Sequence, residues 1–526
     1  MSQAERPTAA PPKMRREVLI VLPGLMLAIL LAMLDNTIIG TAMPTIVGEF
    51  GGYAHMSWVV TAYILAATVS TPLYGKLGDI YGRKRLFMFA IGLFLIGSAA
   101  SGAAQSMAQL IAFRGVQGLG AGGLMVGAMA ILGDLVSPRE RGRYQGFMAA
   151  VMMLSTIGGP LVGGFLTDQF TWRWAFYINL PLGAIALIVI ALTLKLPRHR
   201  ARVRIDYAGI ALLSLAAAGL VLFTTWGGTE YAWDSPQIIG LGMVSVLALV
   251  GLVVVERRAA EPVLPLRLFT DRNFVVINVI GFLQGFAMMG AMTFIPMYQQ
   301  IVQGQTPTES GLWFIPMMLA AMTCSLAAGS YVTRTGRYKI FPIVGGAILI
   351  VGMVLLTGLS VDTSLIQTAI YLVVFGAGLG LLMQITMLVA QNSAPQRDIG
   401  VASSTATFLR NIGGSFGVAL FGAVFADRLA ASVQGRLPAE IAANFNGGGE
   451  GAGLDPEKVA LLPEWMRAIV TGGVTDGLTT VFVWTIPFAA VAFLLAWFVK
   501  EVPLRGSPSA ESTPAAVEDA HVKAPV

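Results

Sequence analysis

Asp35 is the first residue of this chain whose type and position demand a chemical account. It lies in LAMLDNTIIGTAMP, residues 31–44, inside an apolar run that opens at Val18 after the charged start KMRREV. An aspartate at the centre of a membrane helix costs about 2.5–3.5 kcal/mol on insertion scales. A carboxylate kept there is expected to bind a cation or take up a proton. Arg114, in RGVQGLGAGG (114–123), is a second ionisable residue in an apolar run. Asp35 lies about eight residues, and Arg114 about six, from the same side of the membrane, which at a helical rise of 1.5 Å per residue puts both roughly 10 Å deep. The two can therefore meet in a central cavity. Proton coupling through Asp35 and Arg114 is the expected chemistry, with burial and the neighbouring cation setting when the carboxylate takes up a proton. An ion pair that merely joins two helices is the competing reading.

The elements that must position this pair are membrane helices. The chain has 526 residues, 56% hydrophobic and 12% charged, with a mean hydropathy of +0.73, which excludes an ordinary soluble enzyme. Apolar windows of about 20 residues, the length that crosses a ~30 Å hydrocarbon core, recur fourteen times, from 18–41 to 479–499. With the N-terminus inside, 27 of the 34 Lys and Arg fall in cytoplasmic segments. That asymmetry predicts both termini in the cytoplasm and accounts for the net charge of +6 without a nucleic-acid partner. The single cysteine, Cys324, allows no intrachain disulfide. No A-x-A site follows the first span, which is also too long for a signal-peptide core, so it is expected to remain in the mature protein.

The fourteen spans divide as six, two and six. Residues 1–16 and 501–526 read as disordered tails, 17–194 as an N-terminal six-helix bundle, 195–273 as a linker with two extra spans, and 274–500 as a C-terminal six-helix bundle. Segment 426–478 interrupts the last bundle as a long external loop, and its PEKVALLPEWMRAIVTGGV stretch reads as an insertion or a short amphipathic helix lying on the outer surface. An internal repeat supports the division. GKLGDIYGRKR (75–85) and GSYVTRTGRYK (329–339) align Gly75, Gly82, Arg83 and Arg85 with Gly329, Gly336, Arg337 and Lys339 at an offset of 254 residues. Parallel halves of this kind flank a central site in transporters.

The first copy of the repeat also carries chemistry. Asp79 and Arg83 are four residues apart beside a turn that Gly82 permits, and the fourth span ends at Asp134. Gly75, Asp79, Gly82, Arg83, Lys84 and Asp134 are thus the expected gate, a charge cluster that locks one conformation. The second copy has Thr333 in the place of Asp79, so the two loops are not expected to act symmetrically. Gly158, Gly159, Pro160, Gly163 and Gly164 sit in GGPLVGGFL (158–166), a pattern for close helix packing and a kink. A solute pocket is expected from Asn36, Gln117, Phe282, Gln284, Phe286, Met289 and Gln384, where pliable and aromatic side chains suit varied shapes. No phosphate-binding loop, nucleophile elbow or metal-ligand cluster occurs. The sequence therefore predicts no enzyme, no cofactor and no metal, and an ion gradient as the source of energy.

Taken in order, these motifs resemble the major facilitator superfamily, specifically its fourteen-helix drug:proton antiporters of the EmrB/QacA type, over about residues 18–500. LDNTIIGTAMP is similar to that family's first-helix motif, GKLGDIYGRKR to its loop motif, RGVQGLGAGG to its fourth-helix motif and GGPLVGGFL to its antiport motif. WRWAFYINLPLG (172–183) and LRNIGGSFGVAL (409–420) are similar to two later signatures. The resemblance implies an all-helical major facilitator fold in the cell inner (cytoplasmic) membrane. It further implies proton-coupled efflux of lipophilic or cationic drugs or antibiotics by alternating access, with a small-molecule substrate, protons and membrane lipids as partners; the sequence leaves open whether the carrier is a monomer. The alternative is proton-coupled export of one dedicated metabolite, siderophore or lipid.

Overall fold

The computed structural model describes residues 16–50, 56–136, 144, 151, 154–155, 158–159, 162–167, 169–194, 206–228, 230–259, 262–436, 459 and 461–504. Pro160, most of the expected fifth span, the basic segment 195–204 and both tails as far as residues 15 and 505 lie outside the described residues. What is described is helical throughout its long elements. The first group comprises α1 (Arg16–Phe50), α2 (Met56–Tyr81), α3 (Arg83–Gly102), α4 (Met107–Leu135), the single turn α5 (Trp174–Tyr177) and α6 (Asn179–Thr193). A pair follows, α7 (Tyr207–Trp226) and α8 (Pro236–Glu256). The last group comprises α9 (Arg272–Ile301), the short α10 (Pro307–Leu312), α11 (Ile315–Thr335), α12 (Ile340–Thr357), α13 (Leu365–Ser393), α14 (Ile399–Gln434) and α15 (Glu464–Trp497). Among the described residues thirteen stretches are long and apolar enough to cross a membrane. The expected fifth span is too sparsely described to be counted with them.

Local chemistry sets where these helices start and stop. Ser106, Asp206, Ser235, Asp271 and Ser364 each stand at an N-cap and accept a hydrogen bond from a backbone N–H three residues on. Thr306 and Glu309 form a reciprocal capping box at α10. Gly82 (φ 93°) turns the chain between α2 and α3, and Gly336 (φ 72°) closes α11. These glycines of the repeat thus both have a positive φ, which side-chain-bearing residues rarely adopt.

Each group has its own core. Leu25, Phe87, Phe94, Leu124 and Ile190 pack in the first, and Phe274, Tyr298, Phe375, Phe421 and Phe482 in the last. Glycines let α4 and α13 run between two neighbours in the same way. The Cβ positions of Gly118 and Gly122 fall on the backbone of α2 at Tyr63 and Ala67, while that of Gly120 falls on α3 at Phe94 and Ala90. Gly376 and Gly380 meet α11 at Met317 and Ala321, and Gly378 meets α12 at Leu349. α7 lies against both α2 and α14, with Trp226 edge-on to Trp58 at 5.1 Å and Phe223 near Phe416 at 6.3 Å. α8 packs on α7 and leaves Met243, Val246, Leu247, Val250 and Val254 exposed as an apolar face suited to lipid.

The structure corrects the reading of 426–478. α14 continues to Gln434 and α15 starts at Glu464, so both ends of that segment are helical and Glu464–Val474 belongs to one 34-residue helix rather than to a separate surface helix. The reason is tertiary: Val433, Val470 and Val474 are buried against one another's helices, and Arg436 pairs with Asp476 at 2.9 Å. Gly118→Ala should cost about 1–3 kcal/mol through overpacking against α2, read as a lower unfolding midpoint in detergent. Gly115→Ala, at a position with no atom within 4 Å of the added Cβ, should leave the midpoint unchanged or raise it.

Candidate functional site

Asp35 projects from α1 into a polar knot closed on every side by the first helical group. Its Oδ2 accepts from Arg114 Nη1 of α4 at 2.5 Å, and its Oδ1 accepts from Gln117 Nε2 at 2.7 Å and from Asn179 Nδ2 of α6 at 2.8 Å. Arg114 also donates to Gln117 Oε1 at 2.9 Å and, through Nε, to the Val59 carbonyl of α2 at 3.3 Å. Its guanidinium lies 4.1 Å from the Tyr63 ring centroid, and the Tyr63 hydroxyl donates to the Ala32 carbonyl at 3.1 Å. Asn179 Nδ2 also donates to Ser98 Oγ of α3 at 3.0 Å, and Ser98 donates to the Phe176 carbonyl at 2.9 Å. Asp35, Ser98, Arg114, Gln117 and Asn179 are all 0% exposed. Arg114 is paired, hydrogen-bonded and stacked at once, although its Nη2 and the Asn179 Oδ1 have no partner among the described residues.

Backbone placement makes this knot possible. Gly97 lets α3 approach so closely that an added Cβ would sit 2.5 Å from the Gln117 backbone, which brings Ser98 within reach of Asn179. Asn179 opens α6 beside the break at Ile178, so its amide enters the bundle rather than the lipid side. Two residues beyond Asp35, Thr37 Oγ1 donates to the Ser155 carbonyl at 3.1 Å, and Gly159 packs directly on Thr37. Gly163 is buried and its carbonyl accepts from Thr167, whereas Gly158 and Gly164 have no atom near an added Cβ. At the 254-residue offset, Gly413 and Gly417 hold the same register and meet the α9 backbone at Phe282 and Phe286.

The expected gate residues also come together. Arg83 Nη2 lies 2.8 Å from Asp79 Oδ1, and Arg83 Nη1 lies 2.9 Å from Asp134 Oδ1 and also donates to the Ala130 carbonyl. Asp79 then reaches across to the last helical group. Its Oδ2 accepts from the Val401 backbone N–H at 3.2 Å, in the first turn of α14, where unpaired amides and the helix dipole favour a negative charge. Gly75 and Gly400 make this crossing close: an added Cβ on Gly75 would fall 2.7 Å from the Gly400 carbonyl, and one on Gly400 2.5 Å from Asp79. Lys84 does not join the crossing. It donates to the carbonyls of Ala191 and Leu194 at 2.6 and 2.7 Å and ties α3 to the C-terminus of α6. In the second copy Thr333 donates to Gly329 of its own helix at 2.7 Å.

The expected solute pocket is redistributed. Asn36 and Met289 are exposed, and Phe282 is half-buried against Phe416. Gln117 belongs to the sealed knot instead of an open wall, because both Asp35 and Arg114 use its amide. Phe286 is buried between Phe421 and Phe488, Gln384 bonds Ser325, and Gln284 is 1% exposed. Asp35 and Arg114 likewise meet in a closed interior, not in the open cavity foreseen for them. Asn179, Ser98 and Tyr63 were not foreseen at all, although a lone Asn within WRWAFYINLPLG was a visible signal.

A bundle of more than a dozen spans, built from two groups that meet at a charged crossing and with an ion pair sealed in one of them, is a membrane carrier and not an enzyme. The chain belongs to the Major Facilitator Superfamily, which it matches over residues 25–418. It is 40% identical over 490 residues to an uncharacterized MFS-type transporter of Mycobacterium tuberculosis, covering 92% of this chain and 70% of that one. It is 36% identical over 507 residues to the Bacillus subtilis multidrug transporter protein MdtP, covering 92% and 93%. The fold matches the crystal structure of the human organic anion transporter MFSD10 with a TM-score of 0.62 at 16% identity, over 92% of this chain and 100% of that one. The protein is a multi-pass carrier of the cytoplasmic membrane.

Asp79→Asn should weaken the crossing. In a Cys324→Ser background, the 1%-exposed Ser404 replaced by Cys should react with maleimide about tenfold faster when Asp79 is Asn, as the loss of a charge-assisted bond implies. At the other end of α1, Glu49 accepts from Trp172 Nε1 at 2.7 Å and Arg173 Nη2 at 2.8 Å. Arg173 and then Trp172 hold its carboxyl below the ordinary value of 4.5. A depressed carboxyl stabilises the fold above its unfolded-state value and stops doing so as pH falls through the folded one. The midpoint advantage of wild type over Glu49→Gln should therefore be present at neutral pH and close below about pH 4.

Proposed function

We propose that this carrier exports lipophilic drugs or antibiotics, cationic ones included, in exchange for protons by alternating access. The observation that supports it best is the ionisable pair Asp35–Arg114, fully buried in the interior of the first helical group, where it joins α1 to α4 and is bonded to α2 and α6. Protonation of Asp35 removes the charge that Arg114, Gln117 and Asn179 surround, so the knot loosens and α1 shifts against its neighbours. Thr37 transmits that shift to the Gly159 contact. The crossing of Asp79 on α14 is the cytoplasmic gate that closes one face of the carrier, and both termini lie on that side, as the distribution of Lys and Arg favours. Alternate opening at the two ends moves solute outward and protons inward, drawing about 2.3 kcal/mol per charge per 100 mV from the membrane potential. Lipids cover the apolar outer faces. The names of the multidrug relatives agree with a broad solute range, and Met289 and Asn36 are accessible residues that can meet such solutes.

The test uses purified protein in liposomes loaded with a pH dye and challenged with ethidium, tetraphenylphosphonium and neutral lipophilic drugs. Wild type should move protons in response to several unrelated compounds. Asp35→Asn, matched for incorporation and thermal stability, should abolish that response. Full exchange sustained in Asp35→Asn overturns the proposal.

A further inference from the structure

The last helical group contains a charge that the exchange chemistry of the first does not use. Arg410 lies in the middle of α14 and is 8% exposed, yet it has no hydrogen bond or ion pair among the described residues. Its Cγ lies 3.1 Å from the Cβ position of Gly285 on α9. Next to Gly285, Gln284 is 1% exposed and neither amide atom has a partner; one turn before Arg410, Thr407 is 2% exposed and its Oγ1 is also unpaired. No aspartate or glutamate occurs within α9, α11, α12 or α13. On α14 itself, Asp398 is twelve residues away and paired with Arg267, and Asp427 is seventeen residues away, about 18 and 25 Å along the helix. Asp35 and Asp79 are held by Arg114 and Arg83.

An uncompensated buried cation is costly, and a leucine or methionine would pack there without that cost. Unpaired buried amide and hydroxyl groups beside it carry a further penalty. The guanidinium, the Gln284 amide nitrogen and the Thr407 hydroxyl are all donors, and one ligand class accepts from such a set, a planar anion. Asp35 cannot serve a cationic solute in this conformation, since its oxygens already accept from three donors. We propose that Arg410, with Gln284 and Thr407 beside it, binds the carboxylate of an amphiphilic substrate, so that acidic and zwitterionic compounds are among the solutes exported. This inference rests on the exporter reading and names a substrate class for it.

Purified full-length protein in lipid nanodiscs is titrated with dansylglycine and with its neutral counterpart dansylglycinamide. Wild type should bind the acid about tenfold more tightly than the amide. Arg410→Met should lose the preference, and Arg410→Lys, which keeps the charge but not the fork, should retain part of it. Dansylglycine should raise the unfolding midpoint of wild type and not of Arg410→Met, whose ligand-free midpoint should exceed that of wild type. Equal binding of acid and amide, or a preference that survives Arg410→Met, overturns the site. So does complete displacement of dansylglycine by a small excess of chloride over gluconate, which would make it an inorganic-anion site. Should Arg410→Met yield no folded protein, Gln284→Leu decides: a preference reduced about threefold or more supports the site, and an undiminished one overturns it. Ethidium-driven proton exchange on the same wild-type preparation separates the two readings. Exchange without acid preference removes this site alone, whereas acid preference without exchange supports the site and overturns the exporter reading.

Discussion

A carboxylate in an apolar interior must either be neutralised or given partners, and the first helical group is arranged around that requirement. Asp35 is met by a guanidinium and two amides brought from α4 and α6, and the guanidinium is in turn held by a carbonyl and an aromatic face from α2. α3 supplies Ser98, which keeps Asn179 aimed at the carboxylate. Each contributor is itself buried. A single proton on Asp35 would leave Arg114 as a buried charge without a counter-ion, and the whole knot would have reason to rearrange.

Close helix approach is the means by which five helices share one polar knot. Inside a membrane, association relies on packing and polar contacts because lipid tails compete equally for apolar side chains. Alternating glycines meet that demand in α4, and those in α13 repeat the geometry in the other half. The same device carries α1 against the fifth-span residues at Thr37 and Gly159, and α9 against α14 at Gly413 and Gly417. The carrier's chemistry is therefore set on a frame of backbone contacts that tolerates little added volume.

The two halves share this frame but not their charges. Asp79 leaves its own bundle to cap α14, whereas Thr333 at the equivalent position bonds within its own helix. The first copy of the loop thus joins the two halves. The membrane interior is equally uneven: a buried ion pair lies in the first half, and in the second Arg410 has no ion pair among the described residues. The scaffold is repeated, whereas its buried charges differ between the two halves.

Composition, hydropathy and ordered motifs were enough to determine that this chain is a many-span, all-helical carrier of the Major Facilitator Superfamily, because the length of apolar runs is a direct consequence of bilayer thickness. Ionisable residues in such runs are few, so Asp35, Arg114, Asp79 and Arg83 stood out, and counting helical rise placed the first pair at one depth. Depth along a helix axis says nothing about rotation around it. Only the tertiary structure showed that Asp35 is sealed rather than open to a cavity, that Asn179 and Ser98 complete its surroundings, and that Gln117 belongs there instead of on a solute wall. Lys84 looked like Arg83 in sequence but reaches a different helix. The continuation of α14 to Gln434 and the start of α15 at Glu464 depended on valines that are buried between these helices. Sequence patterns record what each helix must do in lipid, whereas which side chains meet is set by how the helices rotate and cross, a property of many weak contacts that no single motif contains.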